Sequence, residues 1–239
     1  MNKAELRLAW RAARSNSRAF GRAMLKQPFI ISAGRRVAEL PRRELSDLVA
    51  TGERRVVLSA PQSRHAWSLG AAEQVVLQLL ISDRNVHTAF EFGTFNGATT
   101  ALIAEALPDE GRVVTVDLPD TDFRATQHPD AFSAQDVGAV HRASVAKHKV
   151  QQLRVDSLVL DTTPWRAWAD LVLVDGGHDY EHGFADTRSA LAIVKPGGIV
   201  LWDDFDPYWH GLINGILDAA AGRPVERLAG LPLAILLVN

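Results

Sequence analysis

Residues 86–117 constrain the fold of this chain more than any other stretch, because they combine two apolar runs with a glycine loop and a helical pattern between them. Their sequence is VHTAFEFGTFNGATTALIAEALPDEGRVVTVD. The runs 86–92 and 112–116 predict strands, and residues 101–107 predict a helix that Pro108 ends. This order of elements predicts half of a doubly wound, parallel α/β sheet.

The loop between the first strand and the helix has the residue types of a ligand site. Gly93 and Gly97 lack a Cβ, so the backbone can turn sharply there and approach a ligand closely. Thr94 and Asn96 are residue types that cap the start of a helix, and the first amides of that helix face the loop. The sequence therefore predicts a ligand at this loop.

The kind of ligand depends on Glu91. A dinucleotide site needs Gly-x-Gly-x-x-Gly and no anion beside it, whereas this loop has two glycines and a carboxylate two residues before the first. Glu91 disfavours a pyrophosphate but suits a ligand that carries an ammonium and a sulfonium group. Asp117, at the end of the second strand, has the chemistry to accept both hydroxyls of a ribose. These residues favour S-adenosylmethionine (SAM) over NAD, so an NAD oxidoreductase is the disfavoured alternative.

The pattern Glu-x-Gly-x-x-x-Gly-x-Thr, with an acid after the next strand, resembles motifs I and II of the class I SAM-dependent methyltransferases. The resemblance implies a Rossmann-like α/β fold with a mostly parallel sheet of seven strands, the last of them antiparallel. Asp156-Ser157, after the apolar run 150–155, resembles motif III, whose acid meets the adenine amino group and whose neighbour holds the ring edge. The cofactor-binding residues that the resemblance implies are Glu91, Gly93, Thr94, Asn96, Gly97, Thr99, Asp117, Asp156, Ser157 and Asp175.

Two further apolar runs end in carboxylates. Residues 171–174 lead into Asp175, and residues 198–202 lead into Asp203 and Asp204. Buried parallel strands place their carboxyl ends at one edge of the sheet, where ligands gather. Crowded carboxylates repel one another and raise each other's pKa unless a cation lies among them. Ligands that are all oxygen suit Mg²⁺, and zinc is disfavoured without cysteine or a histidine cluster.

Residues 174–205, VDGGHDYEHGFADTRSALAIVKPGGIVLWDDF, resemble the metal-dependent O-methyltransferases of macrolide sugars, the macrocin and mycinamicin type, and the cephalosporin-hydroxylase-like proteins of the same branch. The resemblance covers roughly residues 63–239. It implies that Asp175, Asp203 and Asp204 bind the metal and that His178 is the general base, with His182 in reserve. Catechol-type enzymes have a lysine where His178 stands, which sets this chain nearer the sugar enzymes. The implied reaction is methylation of a hydroxyl on a small molecule, a sugar or natural-product scaffold.

Charge separates the beginning of the chain from the rest. Residues 1–60 hold 13 Lys and Arg against 5 Asp and Glu, while the remaining residues hold 13 against 23. We predict a basic helical N-terminal extension at 1–62 and a SAM-binding methyltransferase domain at 63–239. The arginine stripe of residues 3–26 favours a helix that packs on its own domain or joins a homo-oligomer, with its arginines in water. Binding of anionic lipid or nucleic acid and a role as a targeting peptide stay open.

Absent residue types narrow the function. The chain has no cysteine, which excludes disulfides, Cys-ligated zinc and thiol catalysis. It also lacks an apolar run near the ~18 residues that cross a membrane, so we expect a cytoplasmic protein. The predicted function is Mg²⁺- and SAM-dependent O-methylation of a small molecule. The alternatives are a nucleic-acid methyltransferase that uses the basic N-terminus and a non-catalytic cofactor-binding subunit, with nucleic acid disfavoured as a partner.

Local patterns predict the remaining elements. Pro28, Gly34 and Pro41 predict that the helical pattern at the N-terminus is interrupted. Residues 118–148 predict a connecting helix and a flap, and their three histidines, His128, His141 and His148, are interpreted as surface residues. The other predicted elements are a short helix at 42–50, a short strand at 56–58, helices at 69–81 and 180–194, and two strands within 223–239. The aromatic run Phe205, Tyr208, Trp209 and His210 predicts a lining of the acceptor pocket, with core packing an equal alternative for Phe205.

Overall fold

An eight-stranded sheet organises the part of the chain that this computed structural model describes, which is residues 17–58, 68–119, 121–122 and 136–239, with side chains from residue 25 onward. The strands are β1 Arg42–Arg43, β2 Thr88–Phe92, β3 Arg112–Asp117, β4 Val150–Arg154, β5 Ala169–Val174, β6 Val194–Trp202, β7 Glu226–Leu228 and β8 Ala234–Leu237. Their order is β1-β7-β8-β6-β5-β2-β3-β4, and β8 runs opposite to the other seven. This confirms the predicted Rossmann-like sheet, with the edge strand β1 added to the seven expected strands.

Helices cover both faces of this sheet. They are α1 Ser17–Glu39, α2 Ala71–Asp83, α3 Ala98–Ala106, α4 Ala139–Ala143, α5 Tyr180–Ile193 and α6 His210–Ala219. Alternate residues of a strand point to opposite faces, so Phe90 and Phe92 pack towards α5 and α6, whereas Ala89 packs towards α2 and α3. None of these described helices is long and apolar enough to cross a bilayer.

The predicted interruption at Pro28 and Gly34 is wrong, because α1 continues through both residues to Glu39. A proline inside a helix removes one backbone hydrogen bond and costs roughly 3 kcal/mol. Packing offsets this cost, since Ala33 and Val37 are buried in the same cluster as residues of α6. Tertiary burial of one helix face therefore overrides the local signal.

The helix predicted at 42–50 is present only as the single 3-10 turn Leu45–Asp47. Residues 42 and 43 form β1, which pairs in parallel with β7 from the other end of the chain. The Arg43 guanidinium donates two hydrogen bonds to the Glu226 carboxylate, at 2.6 and 2.7 Å, which fixes this pairing. Residues 56–58 form no strand, because the backbone of Val57 exchanges hydrogen bonds with the side-chain amide of Gln78 instead.

The other local predictions have mixed outcomes. The helices predicted at 69–81 and 180–194 and the two C-terminal strands are present with shifts of a few residues at most. His141 is buried, with 4% of its surface exposed, so its interpretation as a surface residue is wrong; its Nε2 lies 3.1 Å from Oε1 of Gln152. His148 is exposed, and His128 lies outside the described residues.

The N-terminal segment contacts the rest of the fold along its described length. Ala33 and Val37 belong to one hydrophobic cluster, and Leu48 belongs to the other. The arginine stripe before residue 17 lies outside the described residues, as does the domain boundary at residue 62. The division into an extension and a methyltransferase domain stays a prediction.

Candidate functional site

The glycine loop leaves β2 in a conformation that two glycines make possible. Gly93 has φ +95°, and a Cβ built there would lie 1.9 Å from the carbonyl oxygen of Asp175. Gly97 has φ +83°, and its Cβ would lie 2.8 Å from Cδ2 of His141. Both positions favour glycine because other residues rarely adopt a positive φ and because neighbouring atoms fill the space of a side chain. The loop is thus clamped between the end of β5 and the start of α4.

Polar residues of the loop divide into two groups. The side chain of Asn96 accepts a hydrogen bond from the amide of Ala98 at 2.9 Å and so closes the start of α3. Thr94 is buried, and its hydroxyl lies 2.7 Å from the hydroxyl of Thr115, so its side chain faces the protein interior. Thr99 lies in the first turn of α3 and is partly exposed. Thr94 is buried, whereas Asn96 and Thr99 are partly exposed.

Glu91 lies beneath this loop with no exposed surface. Its Oε2 accepts hydrogen bonds from the hydroxyls of Thr100 at 2.5 Å and Thr115 at 2.6 Å, whereas its Oε1 has no partner among the described groups. Burial raises the pKa of Glu91 to about 7. A buried carboxylate oxygen without a partner fits a ligand that supplies a cationic or hydrogen-bond-donating group.

Sequence reasoning missed Thr100 and Thr115. Thr115 lies directly opposite Glu91 in the pairing of β2 and β3. A signal was present, because Thr115 is a hydroxyl residue inside an apolar strand, two residues before Asp117 and therefore on the same face. The contact of Thr100 with Glu91 depends on how α3 packs on the sheet, and the sequence carries no comparable signal for it.

Asp117 and Asp156 lie at the ends of the neighbouring strands β3 and β4. The Asp117 carboxylate accepts hydrogen bonds from the amides of Phe95 and Leu118, both at 2.7 Å. Burial raises the pKa of Asp117, and these amide bonds oppose the rise. Asp156 accepts from the amide of Leu158 at 3.0 Å and so caps the short turn Ser157–Val159. The structure therefore places both predicted acids at one sheet edge.

Asp175, Asp203 and Asp204 follow β5 and β6, and one carboxylate oxygen from each lies within 4.8 Å of the others. Burial, then the charges of Asp203 and Asp204, raise the pKa of Asp175 well above its usual range. Burial, then Asp204, raise the pKa of Asp203 to about 7. Three crowded carboxylate oxygen donors fit a divalent metal ion such as Mg²⁺.

His178 stands directly beside this acid cluster. Its Nε2 lies 2.6 Å from Oδ2 of Asp204, and its ring stacks on the indole of Trp209 with centroids 4.3 Å apart. Asp204 has φ +52°, a strained conformation for a residue with a side chain, and such strain is common at functional sites. His182 instead has Nδ1 2.9 Å from both carboxylate oxygens of Asp179 and Nε2 3.9 Å from Oδ1 of Asp156. His178 therefore lies at the acid cluster, whereas His182 lies near Asp156.

A family model described as a methyltransferase domain matches residues 90–205, the stretch from β2 to the acid pair after β6. This match supports a class I SAM-dependent methyltransferase domain in this chain. This methyltransferase domain includes the glycine loop, Asp117, Asp156 and the acid cluster, and only Trp209 of the site described above lies beyond the matched residues.

Several curated and solved proteins that are similar to this chain are O-methyltransferases. Caffeoyl-CoA O-methyltransferase 2 of Petunia hybrida is 23% identical over 172 residues, which cover 69% of this chain and 65% of the relative. The chain thus spans just under two thirds of that relative's length. The O-methyltransferase TomG of Streptomyces achromogenes, solved in complex with SAM, has a TM-score of 0.54 at 24% identity and covers 72% of this chain and 82% of its own. A Bacillus cereus O-methyltransferase, solved with SAH, has a TM-score of 0.53 at 18% identity, with coverages of 72% and 84%. At these identities the solved structures show the shared fold.

Proposed function

We propose that this protein transfers the methyl group of SAM to a hydroxyl of a small molecule, a sugar or natural-product scaffold, with Mg²⁺ at the acid cluster. One observation carries the proposal: a cofactor-type site and an acid cluster with a histidine share one edge of the sheet. Strand β2 pairs with both β3 and β5, and β5 pairs with β6, so the ends of these four strands are neighbours. Cofactor and acceptor would therefore meet at a single edge.

Glu91, Asp117 and Asp156 are the residues that would hold the cofactor. Oε1 of Glu91, which has no partner among the described groups, suits the positive end of the SAM molecule. Asp117 accepts hydrogen bonds from backbone amides of the glycine loop and from Leu118, and its carboxylate has further lone pairs that suit ribose hydroxyls. Asp156, with Ser157 beside it, would meet the adenine.

Asp175, Asp203 and Asp204 would hold the metal ion. When bound, a divalent cation lowers the pKa of the hydroxyl that is to be methylated. His178 would accept the hydroxyl proton at Nδ1 while its Nε2–H donates to Asp204, and Trp209 fixes the plane of the ring. The acceptor oxygen then forms a bond to the methyl carbon as the bond from that carbon to sulfur breaks, which leaves S-adenosylhomocysteine (SAH). Holding both reactants at contact distance supplies much of the acceleration.

Calorimetric titration with SAH and, separately, with NAD tests the cofactor assignment. We expect micromolar binding of SAH alone, weakened at least tenfold in Asp117→Ala, because a buried acceptor of the ribose is lost. Binding of NAD instead, or of neither ligand, would overturn the proposal.

Transfer of a radiolabelled methyl group from SAM to a panel of hydroxylated sugars, phenols, RNA and DNA tests the acceptor class. We expect label in a small molecule and loss of transfer when EDTA removes divalent ions. Label in RNA or DNA alone would show that the acceptor is a nucleic acid. Methyl transfer at an unchanged rate in the presence of EDTA would show that the reaction requires no divalent metal ion.

Assembly into a homo-oligomer through α1 stays a prediction, which sedimentation of the full chain would test.

A further inference from the structure

Asp186 is a buried carboxylate that the proposed reaction does not use. It lies in the middle of α5 with 1% of its surface exposed, and its Oδ1 has no hydrogen-bond partner among the described groups. Burial of such a group without full compensation costs stability. An apolar residue of similar volume would avoid that cost, so a carboxylate at this position calls for a reason.

Two parts of the sheet edge touch this carboxylate. The side chain of Ser157 forms a hydrogen bond with it, and Ser157 begins the short turn after Asp156. On the other side, a Cβ added to Gly176 would lie 3.1 Å from Oδ2 of Asp186. Asp186 thus lies between the turn that follows β4 and the backbone that follows β5.

The preceding turn of α5 faces the same region. His182 is hydrogen-bonded to Asp179 and approaches Asp156, and a Cβ added to Gly177 would lie 2.6 Å from its Cγ. The charged groups around Asp186 are therefore His182, which favours its ionised form, and Asp156 and Asp179, which disfavour it. Helix α5 consequently supplies one wall of the region next to Asp156 and Ser157.

We propose that Asp186 is the positioning residue for the adenine end of the cofactor: it holds Ser157, and with it the turn Ser157–Val159, against the backbone of Gly176. This inference rests on the proposed function, which assigns the adenine to Asp156 and Ser157. Asp186 acts through Ser157 and does not itself touch the reacting atoms. Because the turn carries both adenine contacts, a shift in the turn weakens recognition of the adenine amino group before it affects the rest of the cofactor site.

The test compares SAH with S-inosylhomocysteine, which has an oxygen in place of the adenine amino group. Calorimetry on the full chain gives the ratio of the two Kd values for wild type, Asp186→Ala, Ser157→Ala and the control Thr187→Val. Thr187 is the next residue of α5, is equally buried and accepts a hydrogen bond from Nε1 of Trp202 at 3.0 Å, so it matches Asp186 in its loss of a buried polar contact.

We expect wild type to prefer SAH by about tenfold, the worth of one hydrogen bond, and Asp186→Ala and Ser157→Ala to reduce the preference to about twofold. Thr187→Val should lower the Tm and leave the preference intact. A preference that stays at the wild-type value in Asp186→Ala, or in Ser157→Ala if the first variant fails to fold, would reduce Asp186 to a structural role and overturn the inference. Failure of wild type to bind either compound would instead refute the proposed function, so the two failures are distinguishable.

Discussion

His178 and Trp209 stack with their ring centroids 4.3 Å apart and their planes 23° apart, although 31 positions separate them in the chain. His178 follows β5, whereas Trp209 ends the short turn Pro207–Trp209 before α6. Helix α1 contacts this turn, and its Phe29 ring stacks on His210, the first residue of α6, with centroids 5.4 Å apart. The orientation of the candidate base is therefore set by an aromatic residue that lies outside the matched family region.

We predict that Trp209→Ala lowers kcat about tenfold and changes KM for SAM little, because the imidazole loses the surface that fixes its plane. Trp209→Phe, which keeps an aromatic face, should restore most of the rate. Steady-state kinetics with the acceptor found by the methyl-transfer screen provide the measurement, and Tm values report any unfolding. Equal rates for Trp209→Ala and wild type would show that the stack has no part in turnover.

The acid cluster predicts opposite effects of one substitution on stability and on metal binding. Asp203→Asn should raise the Tm of the metal-free protein at pH 8 by a few degrees, since it removes a charge that burial and Asp204 disfavour. It should also abolish the rise in Tm that Mg²⁺ gives wild type. Thermal melts with EDTA and with Mg²⁺ measure both effects. The exposed Asp109 supplies the control, and Asp109→Asn should behave like wild type. A full Mg²⁺ response in Asp203→Asn would exclude this residue as a ligand.

Glu91 predicts a pH-dependent stability difference. The pKa of Glu91 is about 7 in the folded state, which is above its value in the unfolded chain. The folded state therefore binds the proton more tightly, and the contribution of Glu91 to the stability of wild type falls as the pH rises to 7. Glutamine does not titrate. The free energy of unfolding of Glu91→Gln, measured relative to that of wild type, should therefore rise by up to ~3 kcal/mol between pH 5 and pH 8. Urea unfolding at four pH values measures the difference. Parallel pH profiles for the two proteins would contradict the raised pKa. The same substitution should weaken SAH binding, because it removes the buried negative charge.

Two glycines with similar backbone angles predict different costs for the same substitution. Gly93 and Gly197 have φ +95° and +81°, but a Cβ at Gly93 meets the Asp175 carbonyl at 1.9 Å, whereas a Cβ at Gly197 meets no atom within 4 Å. Gly197→Ala should cost about 1 kcal/mol from backbone strain alone. Gly93→Ala should cost more than ~3 kcal/mol or prevent folding, because backbone atoms must move. Denaturant unfolding of both variants gives the comparison, and equal losses would show that the turn at Gly93 yields easily.

The parallel sheet, and the edge at which its acids collect, are predictable from the amino-acid sequence alone. Apolar runs of strand length alternate with helical patterns, and each run near the site ends in a carboxylate: Glu91 and Asp117 at the glycine loop, Asp175 and Asp203 further on. Parallel pairing places these strand ends at one edge of the sheet, so this prediction requires no information about side-chain packing. The roles of these residues in binding and catalysis stay predictions.

Contacts between distant segments depend on the tertiary structure and could not be predicted from local patterns. Burial of Val37 stabilises α1, which continues through Pro28. The hydrogen bonds between Arg43 and Glu226 stabilise a strand where the local pattern predicts a helix. The partners of Glu91, the stack of His178 on Trp209 and the position of Asp186 against Ser157 likewise depend on how helices seat on the sheet. Hydrophobic periodicity indicates which face of an element is buried, whereas the polar partner of each buried group is set by packing between elements far apart in the chain.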